Sequence, residues 1–299
     1  MAATAQYLNR WSFENGASPT FDSSSDTWDF NAGSDLVKSR PLLNAQGLAG
    51  SRLEDVSRTR LGPYTVAGTL TIEPSPAFFG SWLPRVMGGG TATAPTLEDA
   101  LLVFGCQQDK GIGSSAAYEY LGCVVNRMTL RSRAGGLVEC ALDILGKTED
   151  EGSTFAGAAL GSTLAYEPFT HTDLVLTLAG SARSVLDFSL VVDNSVTARF
   201  VNSVTAGDMI PGRRSITLEA RVPFTATEAS DLYYLAKDGA AGSLVLTNST
   251  VSTTFTFSRV QIPDNAPRTE GGEVILPIRA QIRGASWADE FTVTNDLTP

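Results

Sequence analysis

The fold is decided by residues 64–83, YTVAGTLTIEPSPAFFGSWL, in which a strand pattern passes directly into a helix pattern. Apolar and polar side chains alternate over the first ten residues, which is the period of a half-buried β-strand. Ser75 and Pro76 then supply an N-cap and a first-turn proline, and an apolar stripe at helical spacing ends at the glycine run 88–90. The stretch therefore predicts a strand followed by a short helix.

The same pattern recurs at residues 213–228, RRSITLEARVPFTATE. Ile216, Leu218, Ala220 and Val222 alternate with polar residues, as in the first stretch. Thr225 and Glu228 have the spacing of a capping box, and we expect the helix to continue to the Asp-Gly pair at 238–239. The chain thus contains the strand and helix unit twice.

A β-hairpin is predicted at residues 121–146, with its turn at Ala134-Gly135-Gly136. A three-residue loop places Arg131 opposite Glu139 and Arg127 opposite Asp143 on one face, so opposite charges meet twice. The other face is apolar, because Met128 and Leu130 oppose Leu142 and Cys140. A second glycine pair at 271–272 precedes an alternating run in the same way.

The remaining chain adds strands and loops around these units. We expect strands at 101–104, 173–178 and 185–193, with loops at 106–117 and 194–212. The order of elements predicts a mainly β protein with short helices, built from two tandem β-sandwich or half-barrel domains. Its predicted parts are an N-terminal arm (1–34), a first domain (35–150), an acidic and glycine-rich linker (151–163) and a second domain (164–299).

Composition excludes several classes of function. The formal net charge of −10 argues against a surface that grips nucleic acid, because phosphate contacts need clustered Lys and Arg. Cys106, Cys123 and Cys140 are too far apart for a metal or redox pair and are expected to be buried packing residues. No segment has the length and apolarity of a membrane helix, and no secretory signal is visible, so we expect a protein made in a cytoplasm.

Motifs that could carry chemistry are weak. His171, the only histidine, lies in a polar stretch, and no Gly-x-Ser-x-Gly elbow accompanies it, so a surface turn is favoured over a catalytic triad. Residues 111–116 fit a dinucleotide fingerprint only nominally, because no apolar strand precedes them. The acidic run 149–151 is expected to be a solvated linker, and the sequon at 248–250 has no secretory route to use it. We expect no enzyme, cofactor or metal site.

Three stretches resemble a known family: SLVVDN at 189–194, GRRSITL at 212–218, and YLGCVV at 120–125 with its Gly-Gly hairpin. They are similar to the tail tube proteins of siphophage-type bacteriophages, with a resemblance that covers residues 35–295. The resemblance implies rings of six tube domains whose inner sheets close one β-barrel around a channel, with long loops stacking the rings. Two domains in one chain then imply a trimer with pseudo-sixfold symmetry.

The resemblance also implies a location and partners. A tail tube subunit is a structural part of the virion tail, assembled in the host cytoplasm, and its partners are copies of itself and other tail proteins at the tube ends. DNA passes through the channel without specific binding. The alternatives are another ring-forming tail component, such as a distal tail or head-tail connector protein, and a β-rich adhesin.

Candidate residues follow from the polar faces, the loops and the aromatic N-terminus. The residues expected to face the channel are Glu73, Arg127, Arg131, Glu139, Asp143, Glu219, Arg221, Arg279 and Arg283. The alternative is that they coat the outer surface of a protein without a channel. Those expected in loops between rings or subunits are Asn194, Asn202, Asp208, Arg213, Gln107, Asp109 and Lys110. The candidate docking arm carries Trp11, Phe13, Trp28 and Phe30, which either pack on their own domain or anchor the arm on a neighbouring subunit.

Overall fold

The protein is mainly β, as the alternating patterns predict. The computed structural model describes residues 10–44, 59–110, 117–157, 167–232, 239–248, 251–263, 266–284 and 290–297. The first half of the chain, residues 10–157, contains helix α1 (Pro76–Met87) and the strands β1 (Arg10–Asn15), β2 (Asp26–Trp28), β3 (Asp35–Ser39), β4 (Leu42–Asn44), β5 (Thr59–Leu61), β6 (Thr65–Ile72), β7 (Gly88–Gly90), β8 (Pro95–Leu97), β9 (Phe104–Asp109), β10 (Ala117–Arg133), β11 (Glu139–Gly146) and β12 (Thr148–Ser153).

The second half, residues 167–297, follows a similar order. After a single 3-10 turn (His171–Asp173), it contains helix α2 (Ala226–Asp231) and the strands β13 (Leu174–Leu178), β14 (Ser181–Arg183), β15 (Asp187–Asp193), β16 (Thr197–Arg199), β17 (Asp208–Ile210), β18 (Ser215–Pro223), β19 (Ala240–Asn248), β20 (Val251–Gln261), β21 (Arg268–Glu270), β22 (Glu273–Arg283) and β23 (Phe291–Asp296).

One antiparallel sheet runs through both halves, and we call it the shared sheet. Its order is β3-β6-β11-β10-β15-β18-β22, and β22 pairs on its far side first with β21 and then with the end of β20. Among the described residues these pairings do not close into a ring, so β3 lies at one edge and β21 at the other. The monomer is therefore an open sheet.

Two smaller sheets flank the shared sheet, one for each half. The first has the order β2-β1-β9-β10-β12 and the second has the order β14-β13-β19-β20-β23. The long strands β10 and β20 belong to a flanking sheet at their beginning and to the shared sheet at their end. Each has a register shift where it passes between the sheets, next to Cys123 in β10 and Val260 in β20.

The predicted register of the first hairpin is confirmed. Arg127 opposes Asp143, Leu130 opposes Cys140 and Arg131 opposes Glu139. The alternation in β6 and β18 is also confirmed, because their even-numbered apolar residues lie in the core. Burial of one face fixes the register, since a slip of one residue would expose every apolar side chain.

Helix α1 lies in the core between the halves. Ser75 caps it by accepting a hydrogen bond from the Phe78 amide at 3.3 Å, and Gly88 ends it with φ of 103°. Phe79 packs on Phe169 and Phe255 of the second half, at ring-centre distances of 6.0 and 5.7 Å. A single apolar core therefore holds both halves together.

Helix α2 begins as predicted, because Thr225 and Glu228 form a capping box. It ends at Asp231, and the residues expected to continue it, 233–238, lie outside the described part of the chain. In each half an arginine ties the helix to a flanking strand. Arg85 of α1 contacts Asp26 at 3.1 Å, whereas in the second half Arg183 of β14 contacts Asp231 of α2 at 2.9 Å.

Three predictions about the chain are wrong. Residues 10–34 are not a separate arm, because β1 and β2 are paired strands of the first flanking sheet. The acidic run 149–151 is not a solvated linker, because it lies in β12, where Lys38 Nζ is 3.0 Å from Glu149 Oε1. Residues 101–103 are not a strand, and β9 follows them at the position expected to be a loop. In all three cases the outcome depends on contacts between segments that are distant in the sequence, and no local pattern shows such contacts.

Gly68 explains why β3 lies so close to β6. A Cβ atom on this residue would lie 1.9 Å from the carbonyl oxygen of Asp35 in β3. The backbones approach at this point because glycine has no side chain to separate them.

Candidate functional site: the polar face of the shared sheet

The polar face of the shared sheet brings together the residues predicted to line a channel. Apart from Gly68, the even-numbered residues of 66–72, 128–132, 140–146, 216–222 and 276–282, on β6, β10, β11, β18 and β22, are buried in the core, and the odd-numbered residues between them point to the opposite face. Eight of the nine predicted residues lie on these strands at odd positions, and the ninth, Glu73, directly follows β6. Whether this face lines a channel stays a prediction at this point.

Cross-strand ion pairs cover the face. Arg131 Nη2 lies 2.5 Å from Glu139 Oε1, as the predicted register requires. Arg221 contacts Asp187 on β15 and lies 3.0 Å from Glu270 on β21. Arg279 and Glu219 are 3.9 Å apart and largely exposed, so this pair contributes little.

Arg127 has a different partner from the one expected. It stands opposite Asp143 in the register, but its Nη2 lies 2.6 Å from Asp193 on β15. The hydrogen bond to Asp193 raises the pKa of Arg127. Burial acts to raise the pKa of Asp193, but hydrogen bonds from Arg127 and Ser195 outweigh it, so the pKa lies below its ordinary value. The pair joins the two halves of the chain.

The other predicted residues are held by polar neighbours. Thr69 donates a hydrogen bond of 2.6 Å to Asp143, and Arg283 donates one of 2.6 Å to Gln281. Glu73 accepts a hydrogen bond of 2.9 Å from Asn31. These contacts fix the side chains without burying their charge.

Positive and negative groups balance on this face. The nine predicted residues comprise four carboxylates and five guanidinium groups, and Asp187 and Asp193 bring the carboxylates to six. Sequence reasoning missed both aspartates, because β10 and β15 are far apart along the chain and their pairing carries no local signal. The face is therefore a mosaic of paired charges with no net basic character.

The predicted loop residues separate into two groups. Asn194 is 1% exposed, and its side-chain amide donates to the Val86 and Val125 carbonyl oxygens at 3.0 Å each, so it is an internal clamp and not a loop contact. Gln107 and Asp109 are buried in β9, which corrects their assignment to a loop. Lys110, which follows β9, lies 3.1 Å from Asp35.

The predicted loop residues that are exposed lie in or directly after the hairpin of β16 and β17. Asn202 lies at its tip with φ of 49°, and Asp208 pairs with Arg199 at 3.3 Å. Val201 and Val204 are 62% and 47% exposed, which is unusual for valine. Arg213, after the hairpin, is exposed as well.

The aromatic residues of the proposed docking arm pack on their own chain. Trp11, Phe13 and Trp28 are at most 5% exposed, and Phe30 packs against this cluster. The ring of Phe13 meets that of Trp82 edge-on, with centres 4.8 Å apart. An anchor on a neighbouring subunit needs an exposed ring, so the docking role is wrong for these four residues.

Comparison with known proteins identifies the family. A family model described as phage tail tube protein matches residues 12–286. The chain belongs to this family. A search of curated proteins found no match. The match starts within β1, so β1 and β2 belong to the tail tube fold, although the resemblance of short motifs began only at residue 35.

A tail tube protein is a structural component of the phage virion, and the weak catalytic motifs agree with that role. In this tail tube protein, His171 Nε2 lies 2.8 Å from the Val185 carbonyl oxygen and Nδ1 lies 3.1 Å from Ser132 Oγ. The Nδ1 contact joins the two halves, and the Nε2 contact lies within the second half. The histidine is half-buried, so it is more than the surface turn residue we expected.

The other motifs of the tail tube protein carry no site in the described residues. The nominal dinucleotide fingerprint, 111–116, lies outside them, as do two of the three sequon residues. The three cysteines are buried and free, and burial raises the pKa of the Cys106 thiol. Within the described ranges no cluster of metal-ligating side chains occurs, and no helix is long and apolar enough to cross a membrane.

Proposed function

We propose that this tail tube protein polymerises as stacked trimeric rings with pseudo-sixfold symmetry, forming a hollow conduit for DNA ejection. The observation that carries the proposal is the shared sheet, which spans both halves, has one polar face and is open at two edges. Such a sheet has one face toward solvent and one face packed on the core. It becomes the wall of a channel when the sheets of several chains join edge to edge into a closed barrel. Assembly takes place in the host cytoplasm, with other tail proteins at the tube ends.

Repetition of the strand pairings supports three chains in each ring. In the first half β6 pairs with β3 and β11, and β11 pairs with β10. In the second half β18 pairs with β15 and β22, and β22 pairs with β20 and β21. Two equivalent units in one chain occupy six positions when three chains close.

The expected width of the barrel agrees with a trimer. Three chains supply about 24 strands, and at ~4.8 Å per strand with a tilt of 35–45° the backbones enclose a circle about 45–52 Å across. Two chains would enclose only about 30–35 Å, and the lining side chains must be subtracted from both values. A trimer therefore leaves a channel wider than a DNA duplex.

The charges of the polar face suit the passage of DNA. Basic walls bind DNA by releasing counterions, and each released ion adds to the affinity. The arginines of this face are paired with carboxylates, so the wall offers few unpaired cations to phosphate. DNA can then move through without being retained.

Two hairpins with exposed apolar side chains support stacking of the rings. The hairpin of β16 and β17 and the hairpin of β4 and β5 occupy the same place in the two halves, between the first two strands of the shared sheet. Both expose apolar side chains: Leu42, Leu43 and Leu61 in the first, and Val201, Val204 and Ile210 in the second. Exposed apolar hairpins on a soluble protein favour contact with another copy.

Electron microscopy of the purified protein tests the conduit. Negative stain is expected to show hollow filaments or rings with a central hole and six similar lobes. Mass measurement of an isolated ring should give three chains of 31.6 kDa each. A ring of six chains would show that the two halves form one composite domain, and solid rods would exclude a conduit.

Stacking can be tested separately from ring formation. Val201→Asp places a charge on the exposed hairpin and should leave single rings that no longer form filaments, while the fold is unchanged. Val175→Asp is the matched control, because Val175 is 47% exposed on a flanking sheet. Filaments of normal length from the Val201 variant would remove the hairpin from stacking.

A further inference from the structure

The junction between the two halves of the chain is fully described and provides a template for a second junction. Strands β10 and β15 pair over seven residues, from Arg127 opposite Asp193 to Arg133 opposite Asp187. The strand that corresponds to β15 in the first half is β3, and among the described residues β3 pairs with β6 alone. The strand that corresponds to the end of β10 is β21, which within the same ranges pairs with β22 alone.

The correspondence between the halves can be fixed residue by residue on the β3 side. The helix N-caps Ser75 and Thr225 align β6 with β18, so Gly68 corresponds to Leu218. Their partners in the next strand are Leu36 and Leu190. Asp35 therefore corresponds to Ser189.

The same procedure fixes the β21 side. Ile72 and Val222 correspond in β6 and β18, and their partners in the hairpins are Cys140 and Leu276. One residue earlier, Glu139 pairs with Arg131 in the first half, and Ile275 pairs with Arg268 in the second. Arg268 therefore corresponds to Arg131.

Within the chain Arg131 stands opposite Ser189. We propose that β21 of one chain pairs antiparallel with β3 of a second copy, with Arg268 opposite Asp35 and Pro267 opposite Leu36. The inference rests on the proposed ring and names the strand edges and the register that close it. Opposite charges then face each other across the new junction.

The orientation of the backbone groups agrees with this register. Gly271 and Gly272, with φ of 60° and 89°, form a two-residue turn, which makes Glu270 and Glu273 a hydrogen-bonded pair. The amide of Thr269 and the carbonyl groups of Thr269 and Pro267 then point away from β22, to the free edge. On β3 the carbonyl oxygen of Leu36 accepts the Tyr120 hydroxyl at 2.8 Å, so it also points to the free edge.

The surroundings of β3 leave room for an added strand. A groove of about 430 Å³ lies along it, lined by Lys38, Lys110, Tyr118, Glu149 and Glu151 among others. These polar side chains keep the free edge hydrated in the isolated chain. Pro267 offers no N–H group, which removes one hydrogen bond from the junction and also hinders pairing with unrelated strands.

Charge reversal tests the pairing of Arg268 with Asp35. Arg268→Asp alone and Asp35→Arg alone should each raise the concentration needed for ring formation by about tenfold or more, because like charges then face each other in every junction. The double variant should restore assembly to within about threefold of the wild type. Arg279→Asp is the matched control: it lies on the same polar face, on β22 opposite Glu219 of β18 and not on β3 or β21, and should assemble normally.

Cysteine cross-linking tests the register directly. Asp35→Cys together with Arg268→Cys should give chains linked into dimers and trimers on oxidation, whereas Val37→Cys with Arg268→Cys, two residues out of register, should not. The native cysteines are buried and free and serve as an internal control. Rings that show no link at 35 and 268, or single reversals that assemble normally, would overturn the pairing but leave the conduit intact. Failure of the wild type to form any ring would overturn both.

Discussion

The two halves of the chain place different chemistry at the same position between their sheets. In the first half Tyr120, Glu149 and Lys38 stand where the second half has Phe257, Phe291 and Val192, judged by the strand pairings. The second set is buried and apolar, and the rings of Phe257 and Phe291 stack with centres 5.9 Å apart. The first set is a polar network, in which Lys38 and Glu149 form an ion pair at 3.0 Å.

The difference between the polar and the apolar set follows from the strand edge that each set lies beside. The apolar set lies beside the junction of β10 and β15, which is permanent because both strands belong to one chain. The polar set lies beside the free edge of β3, which is covered only in the proposed ring. An apolar groove beside an unpaired strand edge would promote pairing with unrelated strands. A subunit that is not yet assembled therefore needs polar side chains in this groove.

The largest effect is expected from making the second half resemble the first. Phe291→Glu introduces the residue that stands at the equivalent position, but Val192 offers no cation to pair with it. A buried, unpaired carboxylate together with the lost ring should lower the free energy of unfolding by about 4 kcal/mol or more. Urea unfolding followed by tryptophan fluorescence measures the loss.

Phe291→Leu is the control for this substitution, since it keeps an apolar side chain and should cost only about 1 kcal/mol. Similar losses for the two variants would show that the position tolerates charge and that the contrast between the halves has another origin.

A smaller effect is expected at Gly68, which corresponds to Leu218 in the second half. Gly68→Ala places a Cβ atom 1.9 Å from the Asp35 carbonyl oxygen, so β3 must shift, at a cost of about 1–3 kcal/mol. Gly207→Ala is the control, because a Cβ atom there would lie 3.8 Å from its nearest neighbour, the Arg199 carbonyl oxygen, and it should change stability by less than about 0.5 kcal/mol. Equal stabilities of the two variants would contradict the close approach of β3 and β6.

The sequence predicted the strands and helices better than it predicted which strands pair with each other. The alternation in β6 and β18, the caps at Ser75 and Thr225 and the register of Arg131 with Glu139 are local patterns, and the structure confirms them. Composition misled where a polar segment is covered by another part of the chain. Gln107 and Asp109 read as a loop but are buried between β1 and β10.

The candidate site was predicted in part for the same reason. The pairing of Arg131 with Glu139 could be predicted, because the two residues lie on the two strands of one hairpin. The partner of Arg127 could not be predicted from the sequence, since Asp193 lies 66 residues away and no motif indicates that its strand pairs with β10. The free edges at β3 and β21 are likewise visible only once all pairings are known.

The ion pair of Arg127 and Asp193 at the permanent junction should show a pH-dependent contribution. The pKa of Asp193 is lowered in the folded protein, so its stabilising effect is present above the unfolded pKa of ~3.9 and is lost as pH falls through the folded value. Asp193→Asn should therefore destabilise by about 1 kcal/mol at pH 7, a modest amount because the pair is partly exposed, and by much less once the pH is below the lowered pKa of Asp193.

Asp143→Asn is the matched control for the pH experiment, because Asp143 stands on the other side of Arg127 and accepts a hydrogen bond from Thr69 instead. Urea unfolding at several pH values compares the two. A pH-independent loss in the Asp193 variant would contradict the ion pair.

The smallest effect on stability, and the sharpest on function, is expected from charge reversal on the polar face. Glu139→Lys with Asp143→Lys should cost at most about 1 kcal/mol, since exposed pairs contribute little. The same change leaves Arg127 and Arg131 among four cations, and clustered cations bind phosphate by counterion release. Assembled tubes of this variant should retain DNA at low salt and release it at high salt.

Asp99→Lys with Asp150→Lys changes the net charge equally at exposed residues outside this face, and its tubes should behave as the wild type does. Because only the first variant alters the wall that the proposed channel presents to DNA, tubes of both variants that ignore DNA at every salt concentration would place the polar face on the outside.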